Sequence, residues 1–217
     1  MKNLIVNGDD FGSSSGVNRG IIVAHEQGIL TSASLMVDLP AGAEAARLGA
    51  DHPKLGIGLH VVLEPLADSP PPQAEVERQL ARFVELTGHV PTHIDTHHNV
   101  HRDARVLPAL VAVADRHTLP LRGHCGVRHI AKFYGQWDGE THLESVSPDA
   151  LTHIVATEVE DGFNELCCHP GYVNGELASS YLVERRAELD TLCDPGVAAL
   201  VREQEIDLTT FREVSIR

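Results

Sequence analysis

The sequence predicts an α/β fold, specifically a deformed (β/α) barrel of about seven parallel strands in one domain over residues 1–217. Short apolar runs alternate with amphipathic helical stretches, which is the pattern of repeated β/α units. Four of the runs end in polar clusters, and active sites of β/α barrels lie at the carboxyl ends of their strands. The first strand leads into Asp9-Asp10-Phe11-Gly12, whereas an open doubly wound sheet would favour a glycine-rich phosphate loop there.

The predicted strands are short apolar runs bounded by turn residues. They cover residues 2–7, 33–37, 56–63, 92–96, 120–122, 164–168 and 207–211. The predicted helices have apolar residues at a period near 3.6. They cover residues 16–29, 41–48, 74–87, 102–117, 147–159, 181–191 and 195–203.

Several of these helices have recognisable ends. Ser147 and Asp194 each precede a proline, which indicates an N-cap followed by proline at the first helical position. Gly88 closes the helix over 74–87. The segment 123–146 has no sustained period, and we expect loops there with one short strand near 129–133.

Composition limits the classes of function. With 42% hydrophobic and 22% charged residues, the chain has the composition of a soluble globular domain. A net charge of −14 argues against nucleic acid and anionic membrane surfaces as partners and favours a neutral or cationic small substrate. A homodimer is a fair expectation for such a chain.

Targeting and cysteine content give two further expectations. The chain has no secretory h-region and no apolar run of about 20 residues, so we expect a cytoplasmic protein without membrane insertion. Four cysteines are too few for a disulfide framework, and we expect small buried thiols. They are Cys125, Cys167, Cys168 and Cys193.

The first two polar clusters contain candidate ligands. Consecutive carboxylates at a strand end point to opposite sides, so one of Asp9 and Asp10 could bind a metal while the other holds a proton. A helix-capping turn before Gly16 is the alternative. His60 lies inside an apolar run, where a histidine is either a hydrogen-bonded core residue or a ligand.

The third cluster is rich in imidazole. His93, Asp95 and His97 alternate, so they are expected to share one strand face and could converge on a single ion. Asp95 could instead orient an imidazole from behind. His98 and His101 are expected beyond the strand end. This density of ligands favours a metal site over packing.

The fourth cluster contains a candidate acid. His169 precedes Pro170-Gly171, where a histidine with a pKa near neutrality suits general acid catalysis, although it could also only cap a turn. Arg122, at another strand end, could pair with Asp9 and keep it ionised, or it could lie on the surface.

The four clusters together resemble the motifs of the YdjC/ChbG-like carbohydrate deacetylases, a family that includes chitooligosaccharide deacetylases and hopanoid-associated relatives. The matching segments occur in order along nearly the whole chain. They are Asn7-Gly8-Asp9-Asp10-Phe11-Gly12, Gly58-Leu59-His60, Thr92-His93-Ile94-Asp95-Thr96-His97-His98-Asn99-Val100-His101 and His169-Pro170-Gly171.

This resemblance implies a barrel of the kind found in glycoside hydrolases and deacetylases. It also implies a hydrolase that removes the N-acetyl group from an amino sugar or N-acetylated oligosaccharide, releases acetate and uses one divalent metal cation, Mg²⁺ or Zn²⁺. The implied metal ligands are Asp10, His60 and His97. Asp9 takes the position of the general base and His169 that of the general acid. The supporting or substrate-contacting positions are His93, Asp95, His101 and Arg122.

Two other functions remain open at this point. A metal-dependent phosphoester hydrolase would keep the metal, but the residues offer no second metal cluster and no cationic clamp. A non-catalytic sugar- or metal-binding protein would bind without turnover. Phe133, Tyr134 and Trp137 could stack on sugar rings or form a core cluster.

Overall fold

The computed structural model describes residues 1–63, 71–175 and 179–215. The sequence Ser69-Pro70-Pro71-Pro72 favours an exposed, stiff turn, and its first two residues lie outside the described ranges. Nine strands are present in the described part. They are β1 (Lys2–Phe11), β2 (Ser32–Leu35), β3 (Gly56–Val61), β4 (Ile94–Thr96), β5 (Arg128–Ile130), β6 (Gln136–Trp137), β7 (Glu140–Thr141), β8 (Gly162–Cys168) and β9 (Ile206–Leu208).

Seven α-helices connect or flank these strands in the described ranges. They are α1 (Ser15–Gln27), α2 (Gly42–Asp51), α3 (Pro72–Thr87), α4 (Leu107–His117), α5 (Pro148–Glu158), α6 (Val183–Leu192) and α7 (Pro195–Glu203). Ser147 and Asp194 cap helices as predicted, since their side chains accept hydrogen bonds from backbone N–H groups in the first turn of α5 and α7. Within the described residues, no helix is long and apolar enough to cross a membrane.

The main sheet has seven strands, and all of its pairings are parallel. Its order is β4-β3-β2-β1-β8-β5. The first residues of β1 also pair with β9, which lies on the same side of β1 as β2. Strand β2 pairs with the later residues of β1. The sheet curls into a half-barrel, so the predicted deformed (β/α) barrel of about seven strands is confirmed.

The core follows from this arrangement. Parallel sheets of α/β proteins are covered, and therefore buried, on both faces. Leu4, Ile5 and Val6 of β1 are consecutive and have no solvent exposure. The main apolar cluster joins β1 to residues such as Ile21 of α1 and Leu59 of β3.

The end of β1 differs from the prediction. The strand does not stop at residue 7 but continues to Phe11, which is completely buried. Its register against β2 shifts between Gly8 and Phe11, and Asp10 has a φ of 67°, which is the left-handed region that few non-glycine residues adopt. This irregularity re-aims the two acidic side chains as a β-bulge does.

The region after β4 also differs. Helix α4 begins at Leu107 rather than at residue 102, with Pro108 in its first turn, a position that proline favours. Residues His97–Arg102 instead form a 3₁₀ helix that is interrupted by two left-handed residues, His98 and Asn99.

Two weaker predictions are partly correct. The strand expected at 120–122 is reduced to one parallel bridge between Leu121 and Ile94. The short strand expected near 129–133 is present as β5. The antiparallel pair β6 and β7 is missed, because strands of two residues are too short to show a period.

Candidate active site

A cleft of about 320 Å³ opens at the carboxyl ends of the central strands. All five residues predicted to bind metal or transfer protons line it. They are Asp9, Asp10, His60, His97 and His169. The sheet brings them together because β1, β3, β4 and β8 are parallel, so their carboxyl ends meet at one edge.

Asp10, His60 and His97 form one compact group of potential metal ligands, whose donor atoms lie within 4.8 Å of one another. Nε2 of His60 lies 3.4 Å from Oδ1 of Asp10. Nδ1 of His97 lies 3.2 Å from the same oxygen. Two nitrogens and one carboxylate oxygen are a donor set that suits a divalent metal with open coordination positions.

The carboxylate of Asp10 supports this assignment. Oδ1 is buried and has no hydrogen-bond partner among the residues that the structure describes. Oδ2 accepts a 2.6 Å hydrogen bond from Arg185 of α6. Although burial opposes ionisation, the close imidazoles of His60 and His97 and the Arg185 guanidinium hold the pKa of Asp10 well below its usual range. Asp10 therefore presents one free, charged oxygen, and the residues present fit a bound cation.

His60 is oriented from behind by Asp95. Nδ1 of His60 lies 2.7 Å from Oδ1 of Asp95, which leaves Nε2 directed at Asp10. Burial disfavours the imidazolium, but the carboxylates of Asp95 and Asp9 outweigh it and raise the pKa of His60 to about 10. Carboxylates that hold a proton on His60 would equally attract a metal cation, whose binding would displace that proton.

Arg122 decides the environment of Asp9. It is 1% exposed, so the alternative of a surface arginine is wrong. Its Nη1 and Nη2 donate to Oδ2 and Oδ1 of Asp9 at 2.8 and 2.7 Å. Nη2 also lies 2.8 Å from Asp95 and 2.6 Å from Glu165. Burial opposes ionisation of Asp9, but Arg122 prevails and lowers its pKa.

His169 directly follows β8 and lines the cleft. Burial lowers the pKa of His169 to about 4, so the imidazole is neutral at neutral pH. Its Nδ1 is buried without a hydrogen-bond partner among the described residues. Glu188 of α6 accepts hydrogen bonds from the His169 backbone N–H and from the Tyr181 hydroxyl. Burial raises the pKa of Glu188 to about 8.

The predicted convergence of His93, Asp95 and His97 on one ion is wrong, because only His97 belongs to the group with Asp10 and His60. Residue 93 precedes β4, and its ring stacks on Phe211 with 3.9 Å between centroids. It is completely buried and contacts Asp95 at 3.7 Å from behind. The strand is only three residues long, so alternation does not extend to both histidines.

The other predicted positions near this segment have separate environments. His98 stacks on His97 with 3.7 Å between ring centroids, beyond the end of β4 as expected. His101 is buried, and its Nδ1 lies 2.8 Å from the Thr96 hydroxyl. From the sequence, three aromatic residues are expected to stack on sugar rings or to form a core cluster. Phe133 and Tyr134 line the cleft, whereas Trp137 is exposed at the surface.

Helix α6 and the residue pair just before it contribute the residues that sequence reasoning missed. Tyr181, Arg185 and Glu188 are all buried. Arg185 and Glu188 lie three residues apart on one face of α6, and Tyr181 lies two residues before the helix begins. Arg185 contacts Asp10 and Glu188 contacts His169. A stripe of polar residues with the period of a buried helical face was the available signal.

The curled parallel sheet and its cleft place the chain in the class of α/β-barrel proteins with active sites at the carboxyl ends of the strands. The particular family follows from the whole sequence. The model of the YdjC-like protein family matches residues 3–74 and 72–203, and the chain belongs to this family.

Curated relatives share this sequence over nearly its full length. The carbohydrate deacetylase of Geobacillus stearothermophilus is 39% identical, and the alignment covers 96% of this chain and 96% of the relative. The chitooligosaccharide deacetylase of Klebsiella pneumoniae subsp. pneumoniae is 35% identical and covers 97% of this chain and 98% of the relative.

Solved structures have the same fold. A proposed cellobiose-phosphate cleavage protein from Enterococcus faecalis V583 is 26% identical, superposes with a TM-score of 0.80 and covers both chains completely. The family 4 carbohydrate esterase from Streptomyces lividans, solved in complex with acetate, has a TM-score of 0.64 at 12% identity. It covers 100% of this chain and 97% of its own, and at this identity the likeness concerns the fold alone.

Proposed function

We propose that this protein is a metal-dependent hydrolase that removes the N-acetyl group from an amino sugar or N-acetylated oligosaccharide and releases acetate. The observation that carries the proposal is the division of one cleft into two sets of residues. Asp10, His60 and His97 leave a charged oxygen free for a cation. Asp9 and His169 lie beside them with the properties of proton-transfer groups. The deacetylase relatives support the same reaction.

In this proposal, Asp10, His60 and His97 hold one divalent cation. When bound, the cation would polarise the acetamide carbonyl and lower the pKa of the water that attacks it. Two imidazoles and a carboxylate suit Zn²⁺ by ligand softness, while the family resemblance points to Mg²⁺ at least as often. The proposal therefore names one divalent cation, Mg²⁺ or Zn²⁺.

Asp9 acts as the general base. Its pKa is lowered by Arg122, so it is ionised at neutral pH and can accept a proton from the attacking water. A donor atom of Asp9 lies within 4.8 Å of one of His169, and both residues line the cleft, so base and acid are close enough to act on one substrate.

His169 acts as the general acid toward the departing nitrogen. With a pKa of about 4, it begins the reaction neutral and must receive a proton before it can donate one. Asp9 is the neighbouring group that has just accepted that proton. The proton taken from water thus ends on the amine, the C–N bond breaks, and acetate leaves with the water oxygen.

The test is acetate release from N-acetylated chitooligosaccharides, with a phosphoester panel assayed in parallel. We expect acetate but no phosphate, and a loss of at least about 100-fold in kcat for Asp9→Asn, the range for a general base. His169→Ala should lower kcat while elemental analysis shows unchanged metal content. Wild-type activity in Asp9→Asn would refute the assignment of the base, and sugar binding without turnover would indicate a binding protein instead.

A further inference from the structure

Two stacked tyrosines form one wall of the cleft. The rings of Tyr134 and Tyr181 are nearly parallel, with 4.7 Å between centroids and 8° between planes. The ring of His169 meets both of them edge-on, at 5.7 Å from Tyr134 and 5.5 Å from Tyr181. The proposed acid therefore stands directly beside an aromatic surface.

The two tyrosines differ in what they leave accessible. Tyr181 is 5% exposed, and its hydroxyl donates to Glu188 and accepts from the N–H of Gly135. Tyr134 is 39% exposed, and the face that contacts Tyr181 is covered. Tyr181 is thus the fixed support, and the accessible part of Tyr134 lies on its other face and its edges.

We propose that Tyr134 is the platform on which the pyranose ring of an N-acetylated sugar stacks, which makes it a specificity-determining residue for sugars over simple acetamides. The inference rests on the proposed function. A nitrogen that receives a proton from His169 lies within hydrogen-bond distance of that imidazole. The sugar ring that carries this nitrogen must then lie against the neighbours of His169.

Tyr134 is the neighbour best suited to receive the sugar ring. A pyranose presents a face of C–H groups with partial positive charge, and the face of an aromatic ring is negative. Because Tyr134 is already stacked on Tyr181, its ring is held in place before the sugar binds, which reduces the entropy lost on binding.

Trp137 provides a matched control. It is also aromatic and exposed, at 44%, and lies three residues from Tyr134. Its ring is stacked flat on His142, with 3.6 Å between centroids, and it does not line the cleft as the described residues define it.

The experiment compares Tyr134→Ala, Tyr134→Phe and Trp137→Ala on N-acetylated chitooligosaccharides. We expect Tyr134→Ala to raise KM about five- to tenfold, the range of an aromatic contact, with a smaller change in kcat. Tyr134→Phe and Trp137→Ala should remain within about twofold of wild type. Calorimetric Kd values for the deacetylated glucosamine oligomers should follow the same order without requiring turnover.

The outcomes separate this inference from the proposed function. Unchanged KM and Kd in folded Tyr134→Ala would overturn the platform, as would an equal loss in Trp137→Ala. A wild-type protein that neither binds nor hydrolyses N-acetylated sugars would overturn the proposed function itself. If Tyr134→Ala fails to fold, Tyr134→Leu keeps an apolar contact on Tyr181 without the ring, and the same increase in KM is expected.

Discussion

Arg122→Met is the substitution whose effect on stability the structure defines most sharply. The guanidinium is buried between the carboxylates of Asp9, Asp95 and Glu165, with contacts of 2.6 to 2.8 Å. Methionine would replace much of the stem but leave these carboxylates without a cation. Removing one partner of a buried ion pair costs about 3–5 kcal/mol. Although three carboxylates lose their cation, we expect the total loss of stability to stay within this range, because the carboxylates can become protonated.

The loss should depend on pH. In the wild type, the pKa values of Asp9 and Asp95 lie below their ordinary value of 3.8, so the stability they contribute is present at neutral pH and is lost as the pH falls through their folded-state pKa values. Without Arg122 their pKa values rise, and the variant gains protons sooner on acidification. The difference in the free energy of unfolding should therefore be largest near pH 7.5 and smaller near about pH 5.

Urea unfolding at both pH values measures this difference, and thermal unfolding should show a decrease in Tm of about 6–20 °C at neutral pH. Arg105→Met is the control, because Arg105 is exposed and pairs with Asp103 at the surface. The Tm of the Arg105→Met variant should equal that of the wild type. A loss below about 1 kcal/mol in Arg122→Met, the range of surface pairs, would refute the reasoning.

Two further predictions concern packing and the metal. A Cβ on Gly58 would lie 2.2 Å from the buried His93 ring, so Gly58→Ala should lower stability by about 1–3 kcal/mol. A Cβ on Gly49 would meet only the Ile57 side chain, at 3.2 Å, so Gly49→Ala should have a smaller effect in the same thermal scan. Asp95→Asn removes the negative charge behind His60 and should weaken metal binding about 10- to 100-fold. Equilibrium dialysis measures this affinity. Unchanged binding would show that Asp95 does not support His60 as a ligand.

Much of the fold could be predicted because the signals are local. Buried parallel strands read as continuous apolar runs, and β1, β3 and β8 were located in this way. Helix starts at Ser147 and Asp194 follow from hydrogen bonds within one turn. The five proposed site residues meet in the cleft because each lies near or just after the carboxyl end of β1, β3, β4 or β8.

The remaining features depend on contacts that no local pattern encodes. Arg185 lies 175 positions from Asp10 in sequence, yet donates to its carboxylate. The orientation of His93 is set by the ring of Phe211, which comes from the other end of the chain. The left-handed conformation of Asp10 is stabilised by its surroundings and cannot be derived from the residue type.

Two buried arginines give the consecutive aspartates different chemistry. Two adjacent carboxylates would raise each other's pKa. Arg122 offsets this repulsion at Asp9, and Arg185 offsets it at Asp10. Arg185 uses only one oxygen of Asp10 and leaves the other free for a cation. Arg122 uses both oxygens of Asp9, which also accept from Asn7 and from the Cys167 thiol. The thiol is the weakest of these donors, so its hydrogen bond to Oδ2 is the easiest to break. In the proposed reaction, Asp9 would therefore accept the proton at Oδ2.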